Sequence, residues 1–303
     1  MPFLGRKMMS RTRTAATLAA VLTAAAHTAA NLPQGAQGPD SPLVLGVDHI
    51  PLAVADLEVA AGHYGQLGFT LKPGRPHENG IRNQHVKFAD GTAIELITAA
   101  DARDALTAEY RAHLAGGDGA AFVSLFAPEL NRVARAFDAE RRAFRRGDGL
   151  LSFPLGDPLR YVFFGARTTS PTDRPEHFRH PNGAEALIGV WIAADGLAAE
   201  RALLAGLGAT ITEQDVNVPE RVRGAVARFP LGDVVLLPGS RQLVPGRKIV
   251  GATVRVRDLA LLRRALAQGR REAPPAAQTT PGRSEFLAPD LTHGIWLEFR
   301  ETR

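Results

Sequence analysis

GVDHIPLAVADLEVAAGHYGQLGFTLKPGRPHENGIRNQHVKFADGTAIELI, residues Gly46 to Ile97, contains one complete structural unit. Val47 to Val54 alternates as a half-buried strand does. Ile50, Leu52 and Val54 fall on one face, and His49, Pro51 and Ala53 on the other. Asp56 is placed to cap a helix in which Leu57, Ala60, Ala61 and Tyr64 recur at helical spacing, and Gly68 stands at its C-terminal stop. Strands are then predicted over Phe69 to Lys72, Gln84 to Phe88 and Ala93 to Ile97, the last two joined through Asp90-Gly91, read as a two-residue hairpin turn. The order is βαβββ. On that turn length Val86 opposes Glu95, which sends His85 to the other face as a structural residue; a longer loop would reverse the assignment.

Working outward, the unit repeats. Val54-Ala55-Asp56-Leu57 returns as Val256-Arg257-Asp258-Leu259 and, more loosely, as Ala193-Ala194-Asp195, while Leu67-Gly68 returns as Leu207-Gly208. Four βαβββ modules account for the chain better than any other division. Modules 1 and 2 are expected over residues 44–165, with a connecting helix around Ala102 to Leu114. A linker carrying His177-Phe178-Arg179-His180-Pro181-Asn182-Gly183 spans 166–184, and modules 3 and 4 cover 185–301. The predicted fold class is α+β: two bowl-shaped mixed sheets with helices on their outer faces.

The first module resembles the repeating unit of the vicinal oxygen chelate superfamily, which includes glyoxalase I, extradiol dioxygenases and fosfomycin-resistance enzymes. The resemblance rests on His49-Ile50-Pro51-Leu52-Ala53-Val54-Ala55-Asp56, an H-x-x-L-x-V-x-D pattern, and on Gly91-Thr92-Ala93-Ile94-Glu95-Leu96, a G-x-x-[IL]-E-[LF] pattern. It implies that His49 and Glu95 are metal ligands sharing one concave face. Aligned on the same steps, the other modules place Ala121, Ile188 and Gly251 at the His49 position, and Arg160, Leu236 and Glu298 at the Glu95 position. Glu298 alone repeats the ligand type, so module 1 is expected to pair with module 4, which brings this third ligand into the bowl. If neighbours pair instead, Glu298 is stranded.

One His and two carboxylates with open positions suit zinc, nickel, manganese or iron as a divalent ion. No fourth ligand stands at Gly251, and Asp48 or Asn83 could support the site from behind. A bacterial glyoxalase-like branch of the superfamily resembles this chain from about Gly46 to Leu207 and shares the His-Pro-Asn-Gly stretch. On that basis His180 and Asn83 are candidate substrate contacts, although Pro181-Asn182-Gly183 is also plain turn chemistry.

The first thirty residues read as an address. Arg6, Lys7, Arg11 and Arg13 precede the apolar run Thr14 to Ala26, the signature of a cleaved secretory signal peptide, with Asn31 to 43 as a linker. A secreted or periplasmic protein, with no stable membrane insertion after cleavage, is the expectation. The net charge of +5 falls to about +1 without those four basic residues. No general basic footprint for nucleic acid then remains, and aromatic residues are only 6%, too few for base-stacking platforms. The basic run Arg132 to Arg146 is read as the solvated face of a helix. With no cysteine, thiol chemistry is excluded and any metal site must use His and carboxylates. Dinucleotide, P-loop and nucleophile-elbow motifs are absent from the sequence.

What the resemblance implies is a lyase or isomerase in which a divalent metal chelates two adjacent oxygens of a small substrate while a carboxylate, Glu95 or Glu298, moves a proton. A dioxygenase would need a second His that the two-residue turn keeps out of the bowl. The other reading is a metal-free protein that sequesters a small molecule in the same bowl. A small-molecule ligand is the partner expected in either case, and a homodimer stays open.

Overall fold

A computed structural model describes residues 41–147, 149–167, 169–270, 277–279 and 282–302. The leader and most of the linker that follows it lie outside the described residues. The first module runs β1 Gly46–Ala53, α1 Leu57–Gln66, β2 Lys72–Pro73, β3 Ile81–Lys87 and β4 Ala93–Ala99. A connecting helix α2 Ala105–Leu114 and the short β5 Gly119–Ala120 lead to the second: β6 Val123–Phe126, α3 Leu130–Ala139, β7 Arg145–Gly147, β8 Leu150–Ser152 and β9 Val162–Gly165. The third comprises β10 Ala184–Ala193, α4 Ala198–Gly206, β11 Thr210–Asn217, β12 Arg221–Phe229 and β13 Gly232–Leu237. The fourth comprises β14 Ile249–Val256, α5 Leu259–Gln268, β15 Ala277–Thr279, β16 Gly282–Leu287 and β17 Trp296–Glu301.

Local chemistry sets these boundaries. The Asp56 carboxylate accepts the N–H groups of Glu58 and Val59 at 3.0 Å each and so starts α1. Asp258 accepts from Ala260 at 2.8 Å and starts α5 in the same way. Gly68, with φ of +82°, turns the chain out of α1 through a backbone conformation that a side chain would resist. α2 is held by a capping box between Asp104 and Thr107.

The strands form two mixed sheets, ordered β2-β3-β4-β1-β6-β9-β8-β7 and β11-β12-β13-β10-β14-β17-β16-β15. In each, the opening strands of two modules meet antiparallel at the centre: β1 beside β6, and β10 beside β14. Neighbouring modules therefore pair, and the expected union of modules 1 and 4 is corrected. The reason lies in the opening strands, since β14 zips along nearly all of β10, from Ala184 opposite Val256 to Ile192 opposite Ile249.

A single core runs between the sheets. Ile50, Leu52, Ile94 and Leu96 of the first pack with Leu57 and Tyr64 of α1, and the same cluster continues into Leu187, Val190, Ile192, Leu203, Leu204, Leu262 and Phe299. The helical sides of both sheets thus face inward, and the two concave faces look away from each other. Arg247 clasps the halves by donating to the carbonyls of His113, Gly117 and Asp118. His293 joins Asp118 at 2.7 Å to His63 at 3.0 Å across the same seam.

Candidate functional site in the first bowl

The site begins with an irregularity in β1. Its pairing with β6 shifts between Val47, opposite Leu125, and His49, opposite Ser124. Asp48 and His49 then sit side by side, with Asp48 Oδ2 accepting from His49 Nδ1 at 2.7 Å. That bond fixes the ring and leaves Nε2 as the free nitrogen, the arrangement in which a carboxylate orients a metal-binding imidazole. Phe163 meets the ring edge-on at 5.3 Å. Burial alone would depress the His49 pKa, but the hydrogen bond and charge of Asp48, with the charge of Glu95, raise it.

Glu95 lies one strand away, opposite Pro51. Its Oε2 is 3.7 Å from His49 Nε2, and its Oε1 accepts from Asn83 Nδ2 at 2.6 Å. An ion of the zinc class sits about 2.1 Å from such donors, so two donors bridged by one ion lie no more than about 4 Å apart. His49 and Glu95 satisfy that limit, and each is braced from behind.

The β3–β4 hairpin differs from the two-residue turn predicted for it. Phe88 N–H donates to Thr92 O, leaving Ala89, Asp90 and Gly91 as a three-residue loop, with Gly91 at φ of +89°. Asp90 Oδ1 accepts from both the N–H and the hydroxyl of Thr92 and widens the turn. His85, rather than Val86, therefore opposes Glu95 and faces the bowl. Burial lowers its pKa, Glu95 opposes that, and His49, Lys72 and Lys87 add to it.

Register also relocates the counterparts of the two ligand positions. His49 pairs with Ala93 on the parallel neighbour, and Glu95 is two residues further on. The same step from Ser124, opposite Phe163, reaches Gly165; from Trp191, opposite Val235, it reaches Leu237; from Gly251, opposite Trp296, it reaches Glu298. The expected Ala121/Arg160 and Ile188/Leu236 pairs are thus corrected to Ser124/Gly165 and Trp191/Leu237, while Gly251/Glu298 stands. Arg160 instead forms a bidentate pair with Glu109 at 2.9 and 2.7 Å.

Glu298 does not reach His49. It lies fully buried on the concave face of the other sheet, accepting from Thr253 at 2.7 Å, Ser284 at 2.5 Å and the Arg300 guanidinium at 2.9 and 2.8 Å. His180 is buried beside Phe69 and Phe88. Its Nδ1 accepts from Thr70 N–H at 3.1 Å and its Nε2 donates to Lys87 O at 3.0 Å. With both ring nitrogens engaged, the structure gives His180 a packing role. Asn83 stays in the bowl as the residue that holds Glu95.

In the second module the ligand positions are cleared. Ser124 Oγ is buried without a hydrogen-bond partner among the described residues, and a Cβ added at Gly165 would lie 3.5 Å from it and 3.9 Å from Asp48 Oδ2. Among the described residues, no group of three or more His, Asp and Glu side chains converges on one point. His49 and Glu95 are the donors that would hold an ion here, with Ser124 facing His49 across the central strand pair.

Two further features were not legible in the sequence as parts of a site. Lys72 stands opposite His85 on β2, and its ammonium lies 3.0 Å from Asp173 Oδ1. The Lys87 ammonium lies 2.5 Å from Asp173 Oδ2.

This fold and donor pattern define a glyoxalase-like protein, and residues 47–208, more than half of the chain, match the glyoxalase-like domain family (Glyoxalase_3). The chain belongs to that family, and its fold is that of the vicinal oxygen chelate superfamily. No curated sequence matches it. Among solved structures it is similar to a xylose isomerase-like TIM barrel/4-hydroxyphenylpyruvate dioxygenase fusion protein (TM-score 0.62, 11% identity, covering 87% of this chain); this chain spans about half, 49%, of that one. It is also similar to a mutant of 4-hydroxymandelate synthase from Streptomyces coelicolor (TM-score 0.60, 11% identity, 86% of this chain and 93% of that one). The 2,3-dioxygenase LapB from Pseudomonas sp. KL28 gives a TM-score of 0.60 at 12% identity, over 86% and 93% of the two chains. At these identities the likeness is one of fold.

Proposed function

We propose that this chain is an exported, metal-dependent lyase or isomerase acting in its first bowl on a small substrate with two adjacent oxygens. The observation that carries the reading is the braced pair, Asp48 behind His49 and Asn83 behind Glu95, with Nε2 and Oε2 left 3.7 Å apart. A divalent ion such as zinc, nickel, manganese or iron, held by His49 and Glu95, supplies Lewis acidity toward the substrate's paired oxygens. Asn83 holds Glu95 through Oε1, and Oε2, once exchanged for a substrate oxygen as ligand, would be free to accept a proton from one substrate carbon and return it to the neighbouring one. Ser124 Oγ, with a hydroxyl proton to give, binds a substrate oxygen from the module 2 side. Phe163 limits water on the open edge of His49. Export rests on the basic and apolar composition of the first thirty residues; among the described residues no helix is long and apolar enough to cross a membrane. Glu298 has no part in this scheme.

His49, His85 and Glu95 share the concave face, so the second imidazole that a dioxygenase set requires is present there. The three do not converge on one point among the described residues, and the lyase or isomerase reading is kept. The cleared positions at Ser124 and Gly165 favour a second reading, a small-molecule binder that uses no metal. Metal analysis of the protein purified without residues 1–30 separates the two. Stoichiometric metal that is lost in His49→Ala supports the enzyme, and metal in neither protein supports the binder.

A further inference from the structure

We propose that the first bowl has a second pole, the ammonium groups of Lys72 and Lys87, which binds an anionic carboxylate or phosphate group of the substrate. This rests on the reading of the first bowl as the small-molecule site, and it narrows the substrate class to small anions that carry two adjacent oxygens away from the charged group.

The placement follows from register. Lys72 opposes His85, His85 opposes Glu95, and Glu95 opposes Pro51, so one row crosses the concave face from the cations to the metal-binding pair. Leu71 and Val86 belong to the inner core, which puts Lys72, His85 and Lys87 on the bowl side. Adjacent strands are about 4.8 Å apart, so the backbone positions of Lys72 and Glu95 are separated by about 10 Å. That separation is of the length of a molecule of a few carbon atoms.

Charge points the same way. The side chains of Lys72, Lys87 and Asp173 are 8%, 13% and 8% exposed, so two ammonium groups and one carboxylate are withdrawn from water together. Among the described residues no second carboxylate lies within 4 Å of either ammonium. Asp173 Oδ2 also accepts from Ser170 N–H at 2.7 Å, which further divides its capacity. A shielded excess of one positive charge is costly unless an anion meets it, and each ammonium has three protons to offer. His85 stands between this pole and Glu95 in the same row.

The test uses inorganic phosphate and succinate as probes, titrated calorimetrically into the chelator-treated protein at low salt, so that the metal-binding end takes no part. At least one probe is expected to bind, and which of the two binds tells phosphate from carboxylate. Affinity should fall at least tenfold in Lys87→Met and Lys72→Met. Lys87→Arg should keep it within a few fold. Asp173→Asn should tighten it severalfold, because the pair then carries two uncompensated charges, and this gain covers the case in which a lysine variant does not fold. Failure of both probes on the unaltered protein up to tens of millimolar, or equal affinity in the lysine variants and Asp173→Asn, overturns the proposal. Cobalt(II) absorbance on the same proteins reads the other end independently. Anion binding without cobalt would sink the metal reading and leave this one, and cobalt binding lost only in His49→Ala with no anion binding would do the reverse.

Discussion

The indole of Trp191 lies over Gly251 so closely that a Cβ on the glycine would come 2.3 Å from Trp191 Cε3. These residues occupy in the second sheet the places that His49 and Ser124 occupy in the first, opposite one another across the central strand pair. The second bowl is filled at its middle by Trp191, with Val235, Leu237, Val250 and Phe286 around it. The first has at that place the Ser124 hydroxyl, which has no hydrogen-bond partner among the described residues. Gly251→Ala should therefore destabilise the protein by about 1–3 kcal/mol through overpacking. Ser124→Ala, which removes a buried hydroxyl with no hydrogen-bond partner among the described residues, should be close to neutral. Denaturant midpoints on the two variants check both.

Glu298 is the anchor of a network, with Thr253, Ser284 and Arg300 all donating to it and Trp191 Nε1 donating to Thr253 at 3.0 Å. Removing the carboxylate in Glu298→Ala leaves a guanidinium that is largely shielded from water without its partner. A loss of about 3–5 kcal/mol is expected by denaturant unfolding. Metal affinity in the first bowl should not change, since the two concave faces are separated by the whole core. A parallel drop in metal binding below the unfolding transition would contradict the separation.

On the proposed reading, the residues behind His49 and Glu95 should matter nearly as much as the pair itself. Asp48→Asn loses the negative charge that orients and polarises His49, and Asn83→Ala frees Glu95 Oε1. Each is expected to weaken cobalt or zinc binding by about 10–100-fold, read by competition with a chelating dye.

Gly165 offers the converse experiment. Its φ is not in the left-handed region, and a Cβ there meets Ser124 Oγ and Asp48 Oδ2 at ordinary contact distances of 3.5 and 3.9 Å. Gly165→Glu places a carboxylate at the counterpart of Glu95 in module 2. It should tighten divalent metal binding at least tenfold, and no change in affinity would show that the two modules do not address one point.

Acid should loosen the seam between the halves. Burial, reinforced by the Arg247 charge, pushes the His113 imidazole down to about 4 from 6.5. The unfolded chain then binds the extra proton first, so stability is full above about pH 6.5 and falls as the pH drops toward 4. His77, His85 and His180 are lowered too, in each case chiefly by burial, and add in the same direction. Melting temperatures measured from pH 7.5 to 4 should decline, with a shallower slope in His113→Gln.

The sequence by itself determined the module. Alternation in Val47 to Val54, the caps at Asp56 and Asp258, and the repeated Val-x-Asp-Leu steps are local signals, and each is realised as an element within a few residues of its prediction. His49 and Glu95 were legible for the same reason, as matched positions on the opening and closing strands of one module, whereas Asp48 and Asn83 join them only through the irregularity in β1 and the register of β3 against β4. What only the tertiary structure decided was everything that depends on register between strands. One extra loop residue at Ala89 turned His85 into the bowl, and the pairing of neighbouring modules carried Glu298 to the far side of the core. The pairing of β1 with β6 put Ser124, three residues beyond the expected Ala121, opposite His49. A strand's side chains alternate with a period of two, so a slip of a single residue exchanges inside for outside. That slip is fixed by contacts between segments distant in the chain, which no stretch of sequence contains.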